Sequence, residues 1–277
     1  MDIIEIKKCF QNKILDYYKK NGIKWKFDDT LDFHLLLIDY FEILRKHIAP
    51  KKRRVYISKE LKRKMRSPEF SIWNNRLDEI KEKFENGEDM NLFLSKRADV
   101  NGFKDRLLTC WKMYHIHFYP EKKSGDMLLF AIITDYNVYM IDVLPHNKKY
   151  VFSTFQLLNI VHSNWREILE PYRLVGATGL TEVITKDEEV NEFRRCGIST
   201  AVQLDNDIYA LDMMASDGHS AMDVMYANSI CNSLRINGKN EFFKYCVLFD
   251  FSLTYQTHPC FILTYYDAYG VLNVWNM

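Results

Sequence analysis

The sequence predicts an α+β protein: a helical N-terminal region, a small antiparallel sheet with a packed helix, then a second α+β part ending in antiparallel strands. Three observations predict it. Apolar residues recur at helical spacing through the first hundred or so residues, the period shortens to two from Trp111 onward, and turn-forming residues separate the later runs at hairpin distances. The expected divisions are 1–100, 101–172 and 173–277.

Ile3, Ile6, Phe10, Ile14 and Tyr17 form one helical stripe, closed by Asn21-Gly22. Phe33, Leu37, Tyr40, Phe41, Leu44 and Ile48 form a second, closed at Ala49-Pro50 because the residue before proline is pushed out of the α region. A third helix is expected from Ser71 to Glu85, stopping at Asn86-Gly87. Residues 111–119 alternate as a strand, 127–134 form an apolar run suited to burial on both faces, and 138–144 follow a tight turn at Asp135-Tyr136-Asn137. Short links between these three predict an antiparallel meander. Ser153-Thr154-Phe155-Gln156 has the form of a capping box, opening a helix with Leu157, Val161, Trp165 and Ile168 on one stripe. Beyond it, the pattern predicts a helix near 187–195, a hairpin across Asp205-Asn206, and a helix after Ser216-Asp217-Gly218 reaching Leu234. Strands near 244–254, 259–266 and 270–275 close the chain.

With 47% hydrophobic and 27% charged residues, the composition is that of a folded protein rather than a disordered one. No apolar run reaches the roughly 18–20 residues that span a bilayer. The first residues, MDIIEIKKCF, lack the basic-then-apolar order of a secretory signal. A cytoplasmic protein with no membrane partner is therefore expected. The six cysteines show no Cys-x-x-Cys pair, which argues for free thiols over a zinc ribbon or a disulfide scaffold. Gly176-Ala177-Thr178-Gly179 has neither phosphate-loop nor dinucleotide spacing, and neither G-x-S-x-G nor H-E-x-x-H occurs, so no cofactor is expected.

Net charge is only +1, but residues 51–66 hold nine basic side chains and one acidic one, a local charge of +8. Such asymmetry is the usual electrostatic footprint for a polyanion such as RNA; a solvated helix face is the plainer alternative.

The segment Trp111-Lys112-Met113-Tyr114-His115-Ile116-His117-Phe118-Tyr119 carries the most chemistry. Strand alternation puts Met113, His115, His117 and Tyr119 on one face and Tyr114, Ile116 and Phe118 on the other. On the third strand Val138, Met140, Asp142, Leu144 and His146 share a face, and Lys148 and Lys149 follow; Lys122 and Lys123 lie in the first turn. Three readings stay open: the histidines are structural, they bind a metal with Asp142 or His146, or they cleave RNA without metal.

The stretch from 53 to 176 resembles a group of uncharacterised bacterial proteins encoded by scattered accessory genes. The resemblance rests on Arg53-Arg54-Val55-Tyr56-Ile57-Ser58-Lys59-Glu60-Leu61, Leu94-Ser95-Lys96, Asp105-Arg106-Leu107-Leu108, Trp111, His115-Ile116-His117-Phe118, Leu128-Leu129-Phe130-Ala131 and Asn164-Trp165. The layout of its middle is also similar to RelE-like RNase toxins, where a helical element precedes a small sheet bearing basic, His and Tyr residues.

The resulting expectation is a metal-independent ribonuclease or RNA-binding effector of toxin or phage-defence type. His115, His117 and His146 are its acid/base candidates and Tyr119 its orienting group, with Lys122, Lys123, Lys148, Lys149, Arg53 and Arg54 on phosphate. The alternatives are a non-catalytic protein-interaction module and a His-ligated metal hydrolase.

Overall fold

The computed structural model of the chain describes residues 3–25, 32–120, 127–211, 214–237, 248–255, 259–266 and 272–276. Its packing divides the chain into two units: Met1–Arg45 with Asp99–Phe103 and Met222–Met277, and Lys46–Ala98 with Lys104–Ala221. The first unit opens with α1 (Ile3–Lys20) and α2 (Phe33–Lys46), the two helices that the apolar stripes predict. Asn21 donates its Nδ2 to the Tyr17 carbonyl at 2.8 Å, and Gly22, at φ 65°, turns the chain out of α1.

The second unit is built on a four-stranded sheet of order β1-β4-β3-β2. Its first strand, β1 (Arg54–Ile57), is short, and α3 (Lys59–Met65) follows at once. Ser58 makes the transition: its Oγ accepts from Leu61 N at 2.9 Å as an N-cap and donates to the Ile141 carbonyl at 2.6 Å. α4 (Ser71–Asn86) ends at Gly87, left-handed at φ 79°. A Cβ there would come within 2.6 Å of the Lys52 nitrogen, so both the turn and the close approach call for glycine. Asp105 caps the short α5 (Arg106–Trp111) by accepting from Leu108 N at 3.0 Å, and left-handed Lys112 reverses the chain into β2 (Met113–His117).

β2, β3 (Met127–Ile133) and β4 (Asn137–Pro145) form the antiparallel meander the sequence predicts. The sheet is nevertheless mixed, because β1 pairs parallel with β4 at the far edge. Four residues with a charged start are too few to announce a strand by alternation. A bulge leaves Ile141 without a partner between the Phe130–Asp142 and Ala131–Met140 pairs. The extra residue inverts the pattern, so Val138, Met140 and Val143 share one core while Ile141 and Leu144 join the other. The expectation that Val138 through Leu144 alternate on a single face is thus corrected.

β3 is the central layer, with Leu128 to Ile132 all buried. Phe130 and Ile132 pack with Trp111, Leu158, Val161 and Tyr209 on one face, while Leu129 and Ala131 pack with Leu61, Leu77 and Phe84 on the other. Each large apolar side chain buried this way contributes about 1.5–3 kcal/mol. The first face is covered by α6 (Gln156–Leu169), α7 (Asp187–Arg195) and the hairpin of β5 (Val202–Leu204) and β6 (Asp207–Tyr209). The predicted capping box before α6 does not form. Thr154 Oγ1 instead accepts from Lys148 Nζ at 2.7 Å, and Asp187 of α7 accepts from Phe155 N at 2.8 Å, a long-range partner that outcompetes the local one.

The chain then returns to the first unit. α8 (Ala221–Asn237) adds Ala227, Ile230 and Leu234 to the core of α1 and α2, and its Asp223 bonds Arg45 Nε at 3.1 Å in the buried interior. β7 (Leu248–Tyr255), β8 (Pro259–Tyr266) and β9 (Leu272–Asn276) close the chain as an antiparallel sheet, as expected. The architecture is α+β, with helices first. Cys9, Cys110, Cys196 and Cys231 are free thiols, and among the described residues no helix is long and apolar enough to cross a membrane.

Candidate functional site

Alternation along β2 sorts its side chains as expected. Met113 joins the core under α6, whereas Tyr114 and Ile116 join the core under α3 and α4. His115 and His117 take the Met113 face, opposite Phe130 and Leu128 on β3. Beyond the end of β4 the chain turns, and His146 comes back toward them. The rings form a row: His115 to His117 is 6.0 Å between centroids, and His117 to His146 is 6.0 Å. Phe152 closes the row at one side, 4.9 Å from His115 and 6.2 Å from His146.

The three histidines differ in setting. The His115 side chain is 12% exposed, and its Nδ1 lies 3.6 Å from Asp105 Oδ2. That is beyond hydrogen-bond reach, and Nδ1 is buried without a hydrogen-bond partner, so the carboxylate acts on the ring through its charge. Asp105 therefore divides its two oxygens, Oδ1 capping α5 and Oδ2 facing the imidazole. Burial pushes the His115 pKa below the ordinary histidine value; Asp105 pulls it upward and His146 pushes it further down. His146, by contrast, is exposed. A largely buried imidazole, its pKa lowered by that burial and faced by a carboxylate, thus stands near an exposed one, a pairing that suits general base and general acid chemistry.

A shell holds this row in place. Arg194 of α7 is buried with its guanidinium 3.9 Å above the Trp111 ring, and its Nη1 donates to the Phe152 carbonyl at 2.6 Å. Burial lowers the Arg194 pKa, while neighbouring Cys110 and Asp105 raise it. One cation thereby ties the Phe152 turn to α5, which carries both Asp105 and Trp111.

Several sequence-predicted residues stand elsewhere. β2 ends at His117, so alternation does not extend to Tyr119; that ring packs on the α4 side with Arg76 4.7 Å above it. Asp142 beside the bulge is held by Lys64 Nζ at 2.7 and 2.8 Å. Arg53 is buried, donating from Nε to the Thr134 carbonyl at 2.8 Å and from Nη1 to the Ala49 carbonyl at 2.9 Å, and burial lowers its pKa. It clamps the entry to β1 and presents no charge to a ligand. Arg54 is exposed on β1, at the edge of the sheet opposite the histidines. Lys148 is drawn to Thr154 and Asp187, while Lys149 is exposed over the Tyr150 ring at 4.6 Å. Lys122 and Lys123 lie outside the described residues. His219, at a candidate helix start, pairs with Asp217 of its own turn at 2.9 Å.

Asp105, Phe152 and Arg194 are the members that sequence reasoning missed. Asp105 had a usable signal, an N-cap residue just before an apolar run. Phe152 and Arg194 had none, since each reaches the site from a turn or helix that joins it only in the fold.

As a metal site the row is too open: the three histidines do not bring one donor atom each to within 4.8 Å of one another. A single ion holds its nitrogen ligands at about 2.0–2.1 Å, which needs a tighter set. No protein-family model, no curated protein and no solved structure matches the chain, so the reading of this site rests on its geometry.

Proposed function

We propose that the histidine row is the acid–base centre of a metal-independent ribonuclease. The observation that carries this reading is the buried His115, backed by Asp105 and followed at 6.0 Å steps by His117 and exposed His146. In the proposed reaction neutral His115 removes the proton of a ribose 2′-hydroxyl. The 2′-oxygen bonds to the adjacent phosphorus, the bond from phosphorus to the 5′-oxygen breaks, and the leaving oxygen takes a proton from His146 as imidazolium. His117 lies between them and supports the phosphoryl oxygens, with Lys149 the nearest exposed cation along the chain. The products are a 2′,3′-cyclic phosphate and a free 5′-hydroxyl.

The test is incubation of purified protein with end-labelled RNA in excess chelator, with analysis of the new ends. Expected are cyclic phosphate ends and at least a hundredfold slower cleavage by His115→Ala, in keeping with the 10²–10⁴ that such a group supplies. Cleavage undiminished in the His115→Ala/His117→Ala double variant overturns the proposal. Activity that vanishes with chelator and returns with zinc or manganese assigns the histidines to a metal hydrolase instead. No cleavage, with only a lower melting temperature in the double variant, leaves them a structural role in an interaction module.

A further inference from the structure

The nine cations of residues 51–66 are not equivalent in the fold. Lys51 pairs with Asp135 at 2.8 Å, Arg53 is buried on carbonyl groups, and Lys64 is held by Asp142. Lys52, Arg54, Lys59, Lys62, Arg63 and Arg66 all remain exposed. Their arrangement follows from the elements that carry them. Lys59, Lys62, Arg63 and Arg66 fall at positions i, i+3, i+4 and i+7, so α3 and its capping residue present them as a single stripe. Leu61 of the same helix is fully buried in the core, which fixes the stripe outward.

An aromatic platform adjoins them in the chain. Arg54 and Tyr56 point to the same side of β1, since Val55 and Ile57 pack into the core behind. Tyr56 is 40% exposed and lies stacked on Tyr139 of β4, 5.3 Å between centroids and 15° between planes. Behind it, Tyr139 is braced edge-on by Trp165 at 5.2 Å and accepts from Asn137 Nδ2 through its hydroxyl at 3.2 Å. One face of the Tyr56 ring is spent on this stack, and the exposed remainder is rigidly presented beside Arg54. Of the acids in this region, Glu60 accepts from Asn164 Nδ2 at 2.8 Å, whereas Glu69 and Glu167 are exposed carboxylates.

We infer that this β1–α3 surface binds single-stranded RNA, with Tyr56 stacking a base and Arg54 and the α3 stripe tracking the phosphates. The choice of RNA rests on the reading of the histidine row given above; the surface itself is separate from that row. β1 and β2 are opposite edges of the sheet, with β4 and β3 between them. Sequence-tolerant binding of unpaired strands combines these two ingredients, cations along a backbone track and an aromatic face for bases, and neither alone distinguishes a single strand from a general polyanion. The surface would hold a strand that the histidine row then cuts.

The test uses the full chain and a fluorescent 2′-O-methyl oligouridine of twelve nucleotides, which lacks the hydroxyl needed for cleavage, titrated by anisotropy at 50 and 200 mM salt. Tyr56→Ala is expected to weaken binding roughly five- to hundredfold, the range for loss of one stacked base. Tyr56→Phe should stay within about twofold of wild type. Lys62→Glu/Arg63→Glu should weaken binding and flatten its salt dependence, because fewer counterions are released. Circular dichroism of each exposed-site variant checks folding. Equal affinity of wild type and Tyr56→Ala, or equal competition by heparin and by unlabelled oligouridine, reduces the surface to a charge patch and overturns the inference. Binding of the uncleavable strand with no cleavage of RNA by wild type leaves this surface standing and removes the nuclease reading. Cleavage with no Tyr56 dependence does the reverse.

Discussion

In the proposed reaction His115 is the base, and its setting bears on that role. Burial holds its pKa below the ordinary histidine value, and the Asp105 charge pulls it upward without restoring it. The same shift has a consequence for stability. The folded-state pKa of His115 lies below its unfolded value of about 6.5, so the unfolded chain binds more protons in the window between the two. Its contribution is fully present above pH 6.5 and is lost as pH falls toward the folded value. Chemical denaturation at pH 7.5 and 5 should therefore show a smaller acid loss in His115→Gln than in wild type. Equal losses would mean that His115 titrates normally. At the shell, Arg194→Met keeps the apolar cover on Trp111 but leaves the Phe152 carbonyl without its donor, a cost of about 1–3 kcal/mol readable as a lower denaturation midpoint.

Among the elements, β4 matters most, since it joins β1 to the meander and carries the bulge at Ile141. The β1–β4 junction depends on Arg53, whose guanidinium bridges carbonyls from before β1 and from the turn after β3. Arg53→Met should cost about 2 kcal/mol in thermal or denaturant unfolding through those orphaned acceptors while leaving RNA affinity nearly unchanged. A large loss of affinity with no loss of stability would return Arg53 to the phosphate-binding set. Much of this layer was legible in sequence. Helical stripes placed α1 and α2 and the Asn86-Gly87 stop helped place α4; alternation placed β2, a continuous apolar run β3, and turn residues β4 and the β5–β6 hairpin. The His115/His117 face followed from alternation alone. What failed had local causes: α5 is too short for a helical period, β1 too short for alternation, and one bulged residue inverted the β4 pattern. Tyr119 was misassigned because alternation was carried past the strand's last residue. Asp187 was invisible as the α6 cap because its partner, Phe155, lies thirty-two positions away in sequence.

For the whole molecule, a net charge of +1 conceals a strongly basic segment whose outward cations, apart from Lys52 just before β1, lie on one strand and one helical face. Association with RNA should accordingly weaken steeply with salt even though the chain is nearly neutral. Contacts to four to six phosphates predict a log–log slope of about −3 to −4 for a single strand. A slope near zero would mean that the basic segment does not touch the polymer. The central claim, however, is that a carboxylate-backed imidazole performs the cleavage, and the pH dependence of single-turnover RNA cleavage in chelator tests it most directly. Wild type should give a bell whose acidic limb falls below pH 6.5. Asp105→Asn, by removing the charge that holds the His115 pKa up, should shift that limb to lower pH and reduce the plateau rate. An acidic limb that stays in place in Asp105→Asn, or an acidic limb that falls above pH 6.5, would contradict the account.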